Sequence, residues 1–259
     1  MRPLNPKNPA TPRILAAVLL VLALAGCTDA SAEANNPPAP NNPATPANPH
    51  GIVLTARLVG GRNVMLSWRD NGPPPAGEVV EYANASTGPY TILDFLPPGQ
   101  TTYSHPNLIP DTAFYYRVLP YYGPASNAVT VRLPPGAYND NAASPDAWAT
   151  PRTLPGDPRT QESIRDADAS NAGAPTNLRA TITDANGVAL AWTDNASDEV
   201  GYLVEIEAAG KPTYQVVQVL DPKINSCGIV TLPDEKTASY RVRAFYYGAA
   251  SETVSEHTD

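Results

Sequence analysis

Cysteine is nearly absent from this 259-residue chain: Cys27 and Cys227 are the only two. Two thiols cannot build the disulfide framework of a small secreted domain. Histidine is equally scarce. His50, His105 and His257 share no metal-ligand spacing, and no cysteine pair completes a site, so no metal is expected. Cations are few and scattered, 17 Lys and Arg against 25 Asp and Glu, for a net charge of −8. Phosphate backbones need clustered cations, so nucleic acid is excluded as a partner. Electrostatic adhesion to anionic lipid is excluded for the same reason. There is no H-E-x-x-H, G-x-S-x-G, phosphate loop or G-x-G-x-x-G. No cofactor and no catalysis are therefore expected. What abounds is proline, at 30 residues, with 13 tyrosines against 3 phenylalanines. Proline at that density excludes long helices beyond the N-terminal segment.

Residues 1–27 have the grammar of an export signal. Arg2, Lys7 and Arg13 precede an unbroken apolar run from Ile14 to Ala25. As a helix that run is too short for a stable span, which needs about 20 residues, but it suits a secretory core. It closes on Leu24-Ala25-Gly26-Cys27, which resembles the bacterial lipobox. The resemblance implies that Cys27 is acylated and becomes the mature N-terminus, so that the membrane is a partner through lipid. Several acyl chains anchor stably where one is marginal. Thr28 rather than aspartate follows the cysteine, which in the resembling family favours the outer membrane of the cell envelope. Residues 28–50 form a Pro/Asn-rich tether, extended and solvated. Residues 134–172 are rich in Asp, Asn, Pro and Ala and are expected to be a disordered linker with one short ordered piece.

Two segments, 51–133 and 173–259, repeat at an offset of 124 residues, with no gap from Leu54 to Tyr122. Val64, Leu66, Trp68, Asp70 and Asn71 match Val188, Leu190, Trp192, Asp194 and Asn195. Gly77 and Glu81 match Gly201 and Glu205; Tyr90 matches Tyr214; Tyr116, Arg117 and Tyr122 match Tyr240, Arg241 and Tyr246. After one inserted residue Gly123 aligns with Gly248 and Ser126 with Ser251. One duplicated fold is the economical explanation. Its apolar period is two, as in Val64-Met65-Leu66-Ser67-Trp68, so its elements are strands. Short strands and regular turns over 80–90 residues imply a sandwich of two antiparallel sheets.

Pro175-Thr176-Asn177-Leu178-Arg179-Ala180, the tryptophan on the second strand, and Leu108-Ile109-Pro110-Asp111-Thr112 leading into Phe114–Val118 resemble fibronectin type III domains. The resemblance implies an all-β chain of two such immunoglobulin-like sandwiches in tandem after an N-terminal signal helix. Trp68, Trp192, Tyr116 and Tyr240 are the expected structural core. The family's corner tyrosine is replaced by Phe114 and Ala238, and Leu232–Thr237 implies an altered loop.

Alternation along the late strand places Arg117 and Arg241 outward, opposite Glu81 and Glu205, as exposed cross-strand pairs worth at most about 1 kcal/mol. It also turns Tyr121, Phe245 and Tyr247 outward, as a candidate binding surface for protein or sugar. Cys227, aligned with Tyr103, reads either as a buried small hydrophobe or as a reactive thiol. Asp194, Asn195, Asp198 and Glu199 read as a solvated turn or as oxygen ligands for calcium. The long linker implies that the repeats move independently. Together these features describe a non-catalytic, lipid-anchored surface protein for protein interaction or adhesion. The alternatives are an accessory module for extracellular polysaccharide and a passive spacer.

Overall fold

The computed structural model describes residues 51–134, 150–155, 161–166 and 171–259; Cys27 and the tether lie outside them. All its regular elements are strands except one 3-10 turn, Pro233–Glu235, which is the form taken by the altered loop. β1 (Ile52–Val59), β2 (Asn63–Asp70) and β5 (Thr102–His105) make one three-stranded sheet. β8 (Thr176–Ile182), β9 (Gly187–Thr193) and β12 (Ser226–Val230) make its counterpart. Between them runs a single eight-stranded sheet. Its path is β11 (Gln215–Leu220), β10 (Gly201–Ala208), β13 (Thr237–Tyr247), β6 (Ala113–Tyr122), β3 (Gly77–Ala83) and β4 (Thr91–Leu96). β14 (Val254–His257) lies alongside β6, and β7 (Val129–Arg132) alongside β13.

The period-two pattern gives each strand one buried face. Val64, Leu66 and Trp68 of β2 enter the first core, and Val188, Leu190 and Trp192 of β9 enter the second. Tyr116 and Tyr240 are almost wholly buried on the facing strands. Both repeats carry a β-bulge at the same place, between Val80 and Glu81 and between Val204 and Glu205. Three strands facing four, in the order β1-β2-β5 against β4-β3-β6-β14, is the fibronectin type III arrangement, and the second repeat reproduces it.

The fourth strand of each sandwich, however, comes from the other repeat. β7 follows β6 in the chain but pairs with β13, in the register Val129↔Tyr240 to Arg132↔Thr237. β14 follows β13 but pairs with β6, from Val254↔Tyr116 to His257↔Ala113. The two registers are equivalent, so the exchange is reciprocal and pseudo-twofold. β7 lends Val129, Val131 and Leu133 to the second core, whereas β14 lends Val254 to the first. Thr258 stands where Leu133 stands in the other copy, and clasps by hydrogen bonds instead: its Oγ donates to Ile109 O at 2.6 Å and accepts from Thr112 N at 3.0 Å.

Repeat residues that no core explains now have a use. Where the chains cross, Ser126 N donates to Val242 O at 2.7 Å, and Val242 N donates to Ser126 Oγ at 3.0 Å. Ser251 makes the same pair of bonds with Val118, at 2.8 and 3.0 Å. Gly123 has φ +124, and a Cβ there would lie 2.0 Å from Ala244 O. A Cβ on Gly248 would lie 2.7 Å from the Tyr122 ring. At Gly123 only glycine lets the two backbones pass this closely, whereas at Gly248 the space is filled by the Tyr122 and Pro120 rings.

The exchange corrects two expectations. The described residues of both repeats fall within one compact unit rather than two independently moving domains. The strands before and after 134–172, β7 and β8, both belong to the second sandwich. Two pieces of that stretch, not one, pack on the same sandwich. Arg152 bridges Ser226 beside β12, and Glu162 bridges Ala196, which brings Ile164 into the second core.

A protease site inserted between residues 140 and 146 tests the exchange. After cleavage the two fragments should co-elute in gel filtration without denaturant, since each completes the other's sandwich. Tethered independent domains would separate. Amide exchange should open β14 before β7, because β14 contributes less apolar burial.

Candidate functional site

The face expected to meet a ligand meets the other repeat. β6 and β13 pair end to end through Tyr122↔Tyr246 and Tyr121↔Tyr247, and the Tyr122 and Tyr246 rings stack with centroids 5.6 Å apart. Around this axis Val79, Tyr121, Leu203 and Phe245 form a third core, with Phe95, Val216 and Tyr247 packed against it. Phe95 meets the Phe245 ring edge-on at 6.3 Å, and Phe245 meets Tyr247 at 5.2 Å. Tyr121 is 2% exposed and Phe245 1%, and Tyr247 is partly buried. The alternation holds, and these residues do leave the sandwich core. Their outward direction leads into the joint between repeats, so they are not a free binding surface.

The ion pairs lie at the same joint. Arg117 Nε donates to Glu81 Oε2 at 2.6 Å, and Arg241 pairs with Glu205. Both are cross-strand partners, as expected, but the carboxylates are buried rather than exposed, at 4% for Glu81 and 2% for Glu205. A tyrosine covers each guanidinium: Tyr90 over Arg117 at 4.0 Å and Tyr214 over Arg241 at 3.9 Å. The repeated Glu, Arg and Tyr are thus one stacked unit, built twice. The second copy adds Arg243 where the first has Leu119. Arg243 Nε donates to Glu205 Oε1 at 2.7 Å, and its Nη1 donates to Gly123 O at 2.6 Å, tying the second repeat to the crossover of the first.

The acidic turn of the second repeat is already occupied by protein cations and donors. Lys223 Nζ lies 2.9 Å from Glu199 Oε1 and 3.7 Å from Asp194 Oδ2, and donates to Ala196 O at 2.8 Å. Asp198 accepts from Ser163 Oγ at 2.7 Å and from Ile164 N at 2.8 Å. The turn therefore holds an ammonium rather than open ligand positions. It also fastens the 161–166 piece. Among the described residues no three His, Cys, Asp or Glu side chains converge as metal ligands.

Cys227 is wholly buried on β12, and burial pushes its thiol up to about 12. A thiol so high is not a thiolate nucleophile near neutrality, so Cys227 acts as a small hydrophobe. His105 accepts or donates at 3.1 Å to Tyr116 Oη, and burial holds its pKa below the usual value. It is wrapped by Tyr82, Phe114 and Tyr116 rings, as a core histidine is. The open seam between β7 and β8, lined by residues 129–132 and 178–182, brings together no histidine, carboxylate or thiol. Pro134, just beyond β7, has no N–H to donate across it. The equivalent residue in the other copy, Asp259, closes its seam by donating its N–H to Gly61 O at 3.0 Å.

No family model matches the chain, and no curated protein matches it. Among solved structures it is similar to a two-domain fibronectin type III segment of chicken tenascin, at 14% identity, covering 79% of this chain and 95% of that one, with a TM-score of 0.25. It is similar also to the FN1-FN3 domains of chicken CNTN1, at 11% identity, 80% and 97% coverage and a TM-score of 0.25. A β-sandwich protein from a computer-based redesign matches 27% of this chain over 71% of its own, at 19% identity and a TM-score of 0.24. At TM-scores this low, the strand order within each sandwich carries the fold assignment.

Sequence reasoning aligned Gly123 with Gly248 and Ser126 with Ser251 but gave neither crossover pair a role. The signal was present, since both recur between the repeats beyond the last core strand.

Phe245→Ala should cost about 3–5 kcal/mol in denaturant unfolding, as a buried aromatic deletion does. Glu205→Ala should cost a similar amount, roughly 3–5 kcal/mol, by leaving Arg243 buried and unpaired. A surface role for either residue would leave stability nearly unchanged.

Proposed function

We propose that this chain is a non-catalytic, lipid-anchored surface protein of the bacterial envelope, held by an acylated Cys27, whose two repeats serve protein interaction or adhesion as one rigid body. The observation that carries this reading is the shared third core. It fuses two sandwiches into a single head of fixed geometry, and a fixed head behind a Pro/Asn-rich tether suits presentation rather than chemistry. The lipobox-like Leu24-Ala25-Gly26-Cys27 supports the anchor, and Thr28 supports the outer membrane as its location.

A polysaccharide-accessory role has less support than the sequence lent it. Sugar platforms are built from exposed aromatic faces, and the tyrosine and phenylalanine side chains that suggested one are spent on the joint.

Mass spectrometry of the membrane-fraction protein should yield a Cys27 peptide carrying acyl chains, and Cys27→Ser should move the protein to the soluble fraction. An unmodified Cys27 peptide from membrane-bound protein would overturn the anchor. Crosslinking on intact cells should capture a discrete protein partner, whereas capture of none would leave a passive spacer.

A further inference from the structure

Strand β3 turns Glu78, Val80 and Tyr82 toward the first core, as β10 turns Tyr202, Val204 and Ile206 toward the second. A glutamate therefore stands where the other copy has a wholly buried tyrosine. In the second repeat Tyr202 Oη donates to Asp194 Oδ1, and Lys223 Nζ lies 3.7 Å from Asp194 Oδ2. In the first repeat Asp70 holds the place of Asp194, but Gly99 holds the place of Lys223. The backbone is left-handed at both, φ +86 at Gly99 and +66 at Lys223, so the two positions are conformationally equivalent. The first repeat has Pro75 in place of Glu199 and Glu78 in place of Tyr202, so it keeps two carboxyl groups but has neither the tyrosine hydroxyl nor the ammonium.

The consequence is visible in the hydrogen bonding. Glu78 is 3% exposed, and neither its Oε2 nor Asp70 Oδ2, both buried, finds a hydrogen-bond partner among the described residues. Asp70 Oδ1 is taken by Gly72 N–H at 2.8 Å. Of the elements packed on Glu78, β2 brings the carboxylate of Asp70. β6 brings Pro120 as strand partner, with the neutral hydroxyls of Tyr121 and Tyr122 nearby. β4 brings Leu96 as the partner on the other side, with Asp94 further along. Glu205, Arg241 and Arg243 of the second repeat act on the Tyr121 hydroxyl. Desolvation, and then the charge on Asp70, act on Glu78 and raise its carboxyl to about 7. No cation is among the groups acting on buried Glu78, so its neutral form is favoured.

We propose that Glu78 is a proton-binding switch at the joint between the repeats: as the neutral acid it replaces the Tyr202 hydroxyl as the donor beside Asp70, and on losing its proton it loosens the corner that Tyr122 locks. Tyr122 connects the two places. Its hydroxyl donates to Pro73 O, at 3.4 Å, in the loop after Asp70, while its ring stacks on Tyr246 of the other repeat. The sign follows from the folded group holding its proton to higher pH than the unfolded one. The contribution is fully present below the unfolded value of 4.5 and is lost as pH rises toward about 7.

The test is denaturant unfolding of the full mature protein from about pH 5 to about pH 8, with the carboxyl carbon of Glu78 followed by NMR. The unfolding constant of the native protein should rise, relative to Glu78→Gln, by up to on the order of 100-fold across that range. Glu78→Tyr, which installs the second repeat's residue, should give the flat profile of Glu78→Gln. Gly99→Lys should flatten it by supplying the missing ammonium. A Glu78 resonance titrating below about 5, as an ordinary carboxyl does, overturns the proposal whatever the variants do. Parallel profiles for native protein and Glu78→Gln overturn it too. Calcium chloride near millimolar that stabilises the native protein at high pH, but not Glu78→Gln, would make the pair a cation site instead.

Discussion

Everything in this molecule depends on where the last strand of each repeat goes. A sandwich sheet that ended at β6 would leave a row of backbone donors and acceptors unpaired along its edge. Each repeat answers that need with the other's strand. Once β7 and β14 have crossed, β6 and β13 are drawn together at their far ends. The outer faces of the two four-stranded halves then close over Tyr121, Phe245 and their neighbours. The exchange and the third core therefore imply each other. The crossing brings the faces together, and the aromatic burial rewards the crossing with contacts that two separate sandwiches lack.

How much of this the sequence could disclose follows from what periodicity measures. The alternation in Val64–Trp68 and Val188–Trp192 reports which side of a strand is buried, and it placed both cores and both tryptophans. The pairing of Glu81 with Arg117 and Glu205 with Arg241 was legible because their strands are neighbours in either topology. The exchange was not legible, and the reason is physical. β6 and β13 are near copies, so β7 finds the same register on either, and only the crossover residues differ in what they touch. Gly123 and Gly248, with Ser126 and Ser251, were the available signal. A small residue and a hydroxyl recurring past the last core strand mark a place where backbone meets backbone. The outward direction of Tyr121 and Phe245 was right, but alternation cannot say whether water or a second sheet lies outside.

The departures from repeat symmetry carry as much meaning as the matches. Where the copies agree, as in Glu81-Arg117-Tyr90 and Glu205-Arg241-Tyr214, the residues serve a role that both halves need: a buried carboxylate capped by a guanidinium that a tyrosine shields. Where they differ, a local task has been divided. Arg243 against Leu119 puts the polar tie on one side of the joint. Leu133 against Thr258 makes one borrowed strand apolar and the other hydrogen-bonded. Pro134 against Asp259 gives one seam a closing N–H and the other none. Lys223 against Gly99 neutralises one acidic corner and leaves the other to a proton.

A consequence for function lies in the loss of independent movement. Two sandwiches on a flexible linker could engage two ligands at variable spacing. These two cannot, because among the described residues β7 and β8 belong to the same sandwich, and the six-residue crossovers 123–128 and 248–253 join the halves. Any partner must recognise a surface of fixed shape. A head ordered before any partner arrives keeps the entropic cost of ordering out of the binding step.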